Sequence, residues 1–249
     1  MRFYQDNGYI QLLNVLLPGE LETVRQWLAE AMTKPAEKST DMSGNLDVAK
    51  VFLQKVNLWR DHEGMRQYVL GKRIAGIARR LAGTTRVRLW HDHALIKRPR
   101  DSKPSPWHQD LPYWPMNQAG ALSCWMALDD VNKDNGCMEF IPGSHTWGKL
   151  DPINLVDPQD IFKMVPDKDP AAFKPVAMPM PAGSCTFHHG LTFHYAYHNV
   201  TDKPRRAIIT IYMPEGISYR HAPHVVTDSL GLRENDPISG ELFPVLSEG

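Results

Sequence analysis

Apolar positions along the chain fall into two regimes that meet near Gly83. Before it they recur mostly at helical spacing; after it they alternate or run in short blocks. Residues 3–17 alternate around Asn7-Gly8 and end in Leu12-Leu13-Asn14-Val15-Leu16-Leu17, which predicts a short helix, a turn at Gly8 and a strand of about five residues. Pro18-Gly19-Glu20 opens a helix whose stripe is Leu21, Val24 and Leu28, extended by Ala31 and Met32 as far as Lys34-Pro35. The polar stretch 35–50 predicts a mobile loop. A second amphipathic helix is expected over about 64–82, with Leu70, Ile74, Ile77, Ala78 and Leu81 on one face and Gly83 as its stop.

From Thr84 the pattern is that of strands and turns. Arg86 to Lys97 forms one long extended run closed by Pro99, and a Pro/Ser/Lys loop over 100–107 leads to His108. Ala119 to Leu128 is an apolar strand, Asn132 to Gly136 a turn, and Cys137 to Ile141 the returning strand. Residues 145–173 carry little periodicity and suggest a long insertion or lid. Strands are expected at about 174–179, 184–188 and 206–213, with a strand-like run at 191–198. Helices first and strands after, without βαβ alternation, argue for a mainly antiparallel β barrel or sandwich with N-terminal supporting α-helices. The expectation is one domain: a helical buttress over about 1–83, a β core over about 84–215 and a C-terminal tail, 216–249.

Composition narrows the partners. The 249 residues are enough for a sizeable core. Lys plus Arg equals Asp plus Glu at 28 each, so no global field draws nucleic acid or an anionic membrane. No apolar run approaches the roughly 18 residues of a membrane span. Met1-Arg2-Phe3-Tyr4-Gln5-Asp6 does not read as a secretory signal, nor Ser247-Glu248-Gly249 as a peroxisomal address. Cys124, Cys137 and Cys185 sit inside apolar runs and are expected to be buried thiols in a reducing, cytoplasmic setting. The expected partner is a small molecule, with the chain acting as a monomer or homodimer. Histidines concentrate between His91 and His224.

The candidate chemistry begins at Pro106-Trp107-His108-Gln109-Asp110-Leu111-Pro112-Tyr113-Trp114. In an extended segment His108 and Asp110 point to the same side. They make two thirds of the 2-His-1-carboxylate set that holds non-haem Fe(II) with positions open for cosubstrate and oxygen. The third ligand would come from His188, His189, His194 or His198, among which spacing alone does not choose. A 2-oxo acid cosubstrate needs a cation for its distal carboxylate, and arginine's planar fork suits that better than lysine. Arg205 and Arg206 begin the apolar strand Ala207-Ile208-Ile209-Thr210-Ile211-Tyr212.

His108-Gln109-Asp110-Leu111-Pro112-Tyr113, Trp125, Asn135-Gly136-Cys137 leading into Ile141-Pro142-Gly143-Ser144-His145, and His194…Asn199-Val200-Thr201…Arg205-Arg206-Ala207 together resemble the phytanoyl-CoA dioxygenase (PhyH) family. So does the opening Phe3…Asp6-Asn7-Gly8-Tyr9. The resemblance spans roughly residues 88–213. It implies a mainly β double-stranded β-helix (jelly roll, cupin-like) and an Fe(II)/2-oxoglutarate oxygenase that consumes O2. The family register puts the distal metal histidine eleven residues before the cosubstrate arginine, which selects His194 with Arg205. His108, Asp110 and His194 are then the catalytic metal ligands, and His188, His189 and His198 stand outside that set. Arg205 becomes the 2-oxoglutarate anchor with Arg206 the alternative, and Trp125 packs on the cosubstrate or simply fills the core.

On the same resemblance the strand from Leu89 to Lys97 lines the cosubstrate side. If inward-facing, His93 touches cosubstrate and His91 substrate; otherwise both are cross-strand structure. Tyr113, Trp107 and Trp114 form an aromatic wall for substrate or pack at the rim. Gln109 points away from the metal, and His221-Ala222-Pro223-His224 reads as a loop. Asp110 argues against halogenation, for which related enzymes replace the carboxylate. The implied reaction is hydroxylation of a small organic substrate with release of succinate and CO2. Desaturation, epoxidation, cyclisation or epimerisation in specialised metabolism would run on the same machinery. Intact His108, Asp110, His194 and Arg205 speak against a non-catalytic metal- and ligand-binding jelly roll, and a cupin-type isomerase or lyase would not need Arg205.

Overall fold

The computed structural model describes residues 1–42, 51–100, 102–155 and 160–249. α1 (Arg2–Asn7) is closed by Gly8 at φ 77, a left-handed cap where a Cβ would collide with His145 and Thr192. β1 (Tyr9–Leu12) follows directly, earlier than the Leu12–Leu17 run suggested, because that cap turns the chain into extended backbone at once. α2 (Pro18–Thr33) starts with proline in its first turn and buries Val24, Leu28 and Ala31. Inside the expected 35–50 loop, β2 (Thr40–Asp41) pairs with β3 (Leu53–Val56), a strand the sequence pattern did not reveal. Residues 43–50 of that loop lie outside the described residues.

The single helix expected over 64–82 is two: α3 (Glu63–Val69) and α4 (Lys72–Ala82). Gly71, at φ −62 and ψ 125, breaks the first and caps the second, which apolar spacing running through the join conceals. Gly83 at φ 63 ends α4 as expected.

The rest is β structure. β4 (Arg86–Lys97) is the expected long strand. β5 (Ser105–His108) occupies the end of what read as a loop, and β6 (Leu122–Ala127), β7 (Met138–Phe140), β8 (Val176–Ala177), β9 (Cys185–His189), β10 (His194–Ala196) and β11 (Arg205–Pro214) follow. β12 (Val245–Glu248) pairs with β4, so the C-terminal segment is part of the sheet and not a tail. The expected helical buttress likewise contributes β1, β2 and β3.

Two antiparallel sheets form the double-stranded β-helix. The larger runs β1-β9-β6-β11-β4-β3-β2 with β12 against β4; the smaller runs β5-β10-β7-β8. The turn at Asn132–Gly136 therefore joins β6 in one sheet to β7 in the other and makes no hairpin. Strand alternation divides the side chains between two cores. Leu122, Cys124 and Met126 of β6, with Ile208 and Tyr212 of β11, pack on the helices. Trp125 and Ala127, with Ala207, Ile209 and Ile211, face the space between the sheets. All three cysteines are buried and unpaired, and no helix among the described residues is long and apolar enough to cross a membrane.

Candidate metal centre and cosubstrate pocket

The smaller sheet builds the ligand set. β10 pairs with β5 so that His194 lies opposite His108, and Asp110 follows two residues after His108. One ligand atom from each of His108, Asp110 and His194 lies within 4.8 Å of the others. Asp110 Oδ1 is 3.5 Å from His194 Nε2 and 3.8 Å from His108 Nε2. His108 Nδ1 lies 2.6 Å from the Pro106 carbonyl and His194 Nδ1 2.9 Å from that of Thr192. A carbonyl only accepts, so both Nδ1 atoms carry the proton and each Nε2 presents a lone pair toward Asp110.

The charge states suit a cation. Burial pushes the pKa of both His108 and His194 down, well below the ordinary value for His194. Burial also pushes Asp110 up, but the imidazoles of His194, His188 and His108 outweigh it and hold the carboxyl well below the usual carboxylate range. Two neutral imidazoles and one carboxylate are the donor set of a non-haem Fe(II) site.

Two residues that sequence reasoning did not assign to this site fix the other carboxylate oxygen. Ser123 Oγ donates to Asp110 Oδ2 at 2.7 Å, and His188 Nε2 donates to it at 3.2 Å. Ser123 is a lone hydroxyl at an inward position of an apolar strand, opposite His188 on β9. That polar break in the alternation was its one visible signal. Gln109 points away from the ligands, donating to the Gly148 and Leu191 carbonyls and accepting from Leu150 N–H. His189 accepts from Leu191 N–H, and His198 is exposed.

The ligands open into a cavity of about 410 Å³ that also takes in Arg205, Trp125, His91, His93, Tyr113 and Trp114. Arg205 shares its strand face with Ala207, Ile209 and Ile211, so its side chain goes inward; Arg206 goes outward to a bidentate pair with Asp129. The Arg205 guanidinium is 5.1 Å from the Trp125 ring centre. Its Nη1 reaches the Leu95 carbonyl at 3.4 Å, and its buried Nε has no partner among the described residues. Burial brings its pKa down to about 10, and burial with the neighbouring Arg205 charge pushes Lys97 well down. A buried guanidinium with an unused Nε donor can take a carboxylate. The turn before it is tied by Asn199, whose Oδ1 accepts from Thr201 N–H and Oγ–H.

His93, Ile209 and Trp125 form one rung across β4, β11 and β6, and His91, Ile211 and Ser123 another. Tyr113 lines the cavity while its hydroxyl donates to the Ile153 carbonyl. Trp107 does not. Strand alternation turns it away from His108, onto Tyr195 (5.5 Å between ring centres) and Phe162 (6.1 Å), so it is no part of the expected substrate wall.

The family model for phytanoyl-CoA dioxygenase (PhyH) matches residues 4–207. The chain belongs to the phytanoyl-CoA dioxygenase (PhyH) family. Like the family, it is an Fe(II)- and 2-oxoglutarate-dependent dioxygenase. A probable phytanoyl-CoA dioxygenase of Caenorhabditis elegans is 25% identical over 230 residues, covering 85% of this chain and 73% of that protein. Among solved structures, the non-haem alpha-ketoglutarate-dependent carbocyclase SnoK from nogalamycin biosynthesis superposes with a TM-score of 0.84 at 32% identity, covering 99% of this chain and 94% of its own. The epimerase SnoN from the same biosynthesis follows at 0.79 and 31%, covering 100% of this chain and 95% of its own; it has also been solved with Fe3+, alpha-ketoglutarate and nogalamycin RO.

Proposed function

We propose that His108, Asp110 and His194 hold Fe(II), that Arg205 clamps the distal carboxylate of 2-oxoglutarate, and that Trp125 and His93 flank that cosubstrate. The observation that carries this reading is the meeting, in one cavity, of the ligand set and a buried arginine with no carboxylate partner among the described residues. With iron bound, O2 would be the oxidant and 2-oxoglutarate would give up two of the four electrons that O2 takes, leaving as succinate and CO2. The chain's own residues do the rest. Ser123 and His188 hold Asp110 in one orientation, and the Pro106 and Thr192 carbonyls fix the imidazole tautomers.

The proposed substrate is a small uncharged organic molecule. Among the described residues that line the cavity, Arg205 is the one Lys or Arg and Asp110 the one carboxylate. With Arg205 committed to the cosubstrate, the described lining residues offer no further Lys or Arg to the phosphates of a coenzyme A thioester. Hydroxylation is the primary reading. The likeness to SnoK and SnoN over nearly the whole chain favours cyclisation or epimerisation in specialised metabolism as the second. The three buried, unpaired thiols support work in the cytoplasm.

Purified protein supplied with Fe(II), 2-oxoglutarate and air is expected to form succinate. The yield should fall to background when oxygen is removed or iron is chelated. Succinate release indifferent to both treatments would sink the reading.

A further inference from the structure

Four imidazoles line the cavity outside the metal set: His188, which donates to Asp110, His91 and His93 from β4, and His224 from the segment after β11. His224 lies beyond the stretch matched by the family model, which ends at residue 207. It is nevertheless built in. The β4–β11 register shifts so that Ile211 faces His91 and Tyr212 faces Leu89, leaving Trp90 unpaired. Trp90 stacks on Phe243 (5.3 Å, 9°) and lies against His224 (5.1 Å), whose ring centre is 5.7 Å from that of His91.

Hydrogen-bond accounting assigns the ring protons. His224 Nδ1 accepts Val226 N–H at 3.2 Å, so a neutral His224 carries its proton on Nε2. His91 Nδ1 lies 3.4 Å from both the Asp92 carbonyl oxygen and His93 Nδ1. A bare Nδ1 there would set its lone pair against the carbonyl's, so the proton sits on Nδ1 and Nε2 is left an acceptor. Neither Nε2 has a hydrogen-bond partner among the described residues. Burial pushes His224 down to about 4 and His91 well below its ordinary value, so both rings are neutral near pH 7.

We propose that His224 Nε2–H and His91 Nε2 form a donor–acceptor pair that recognises a carbonyl and a hydroxyl of an uncharged, largely apolar substrate. Ile211, Val225 and Trp114 line the same cavity and would take the hydrocarbon. A neutral pair gives a carboxylate or phosphate no charge to prefer. The proposal rests on the reading above, in which this cavity holds substrate beside iron.

The test uses holoenzyme loaded anaerobically with Fe(II) and 2-oxoglutarate, and titration calorimetry with three probes. These are 7-hydroxy-1-tetralone, its deoxy analogue 1-tetralone, and the anion 3-hydroxybenzoate. Wild type is expected to bind the hydroxyketone about tenfold or more tighter than either analogue, as one hydrogen bond of about 1.4 kcal/mol implies. His224→Phe keeps a ring against Trp90 but removes the donor, and should weaken both ketones about tenfold. Deleting the hydroxyl from the ligand tests His91 without altering a buried strand. No binding, equal affinity for the three probes, or unchanged ketone affinity in His224→Phe overturns the imidazole pair. If wild type instead fails to show the visible absorption band of 2-oxoglutarate on Fe(II), the functional reading beneath it fails.

Discussion

Replacing Asp110 with alanine is expected to abolish iron-dependent turnover and to weaken Fe(II) binding by at least about a hundredfold. Altering groups that only orient metal ligands already costs 10–100-fold, and Asp110 is itself the ligand in this account. It is also the one carboxylate among the described residues that line the cavity, so its loss leaves two neutral imidazoles facing a dication. The substitution further strands Ser123 Oγ and His188 Nε2, which both donate to Oδ2. An unpaired buried donor costs about 1–3 kcal/mol, so the alanine variant should also melt lower without metal. Asp110→Asn separates the two effects. Its amide oxygen can still accept from Ser123 and His188, so stability should largely return while iron binding stays weak. Anaerobic Fe(II) titration and thermal melts of both variants check this; tight iron binding by Asp110→Ala would remove Asp110 from the ligand set.

Arg205→Ala should raise the 2-oxoglutarate requirement about a hundredfold or more. Removing one partner of a buried charged pair costs about 2–5 kcal/mol, and each 1.4 kcal/mol is tenfold. The variant should not suffer when cosubstrate is absent, because Arg205 Nε then has no partner and burial already disfavours its charge. Melting curves thus offer a second readout: 2-oxoglutarate with iron should raise the melting temperature of wild type and not of Arg205→Ala. Arg205→Lys should fall between, since an ammonium keeps the charge but not the fork. Arg206→Ala is the control. It breaks the pair with Asp129 on the outer face and should leave the cosubstrate requirement alone. Wild-type cosubstrate affinity in Arg205→Ala would move the anchor elsewhere.

The residues at the centre were legible through period 2 and the family register. Alternation pairs His108 with Asp110 in sequence, although β5 ends at His108 and Asp110 already has helical backbone. The family register selects His194 with Arg205, and alternation sends adjacent Arg205 and Arg206 opposite ways. The same rule correctly turns Gln109 away and equally turns Trp107 away from His108, so the expectation of Trp107 in the substrate wall rests on nearness in sequence alone. Composition and apolar blocks exposed the β core, but not which sheet each strand joins. The Asn135-Gly136 turn looks the same whether it closes a hairpin or, as here, carries the chain from one sheet to the other. Gly71 splits a helix without disturbing the apolar spacing around it. The roles of Ser123, His188 and His224 do not show in the sequence for a different reason. Each acts through a side chain more than ten residues away in the chain, from the 13 between Ser123 and Asp110 to the 133 between His224 and His91.

The central claim is that His108, Asp110, His194 and Arg205 act as one Fe(II)/2-oxoglutarate centre. Its most direct measurement is the visible absorption of the iron-loaded protein, without oxygen, as 2-oxoglutarate is added. The account predicts a metal-to-ligand charge-transfer band that saturates with 2-oxoglutarate, does not form with succinate, and requires both Asp110 and Arg205 at low cosubstrate concentration. A spectrum that 2-oxoglutarate leaves unchanged would contradict it.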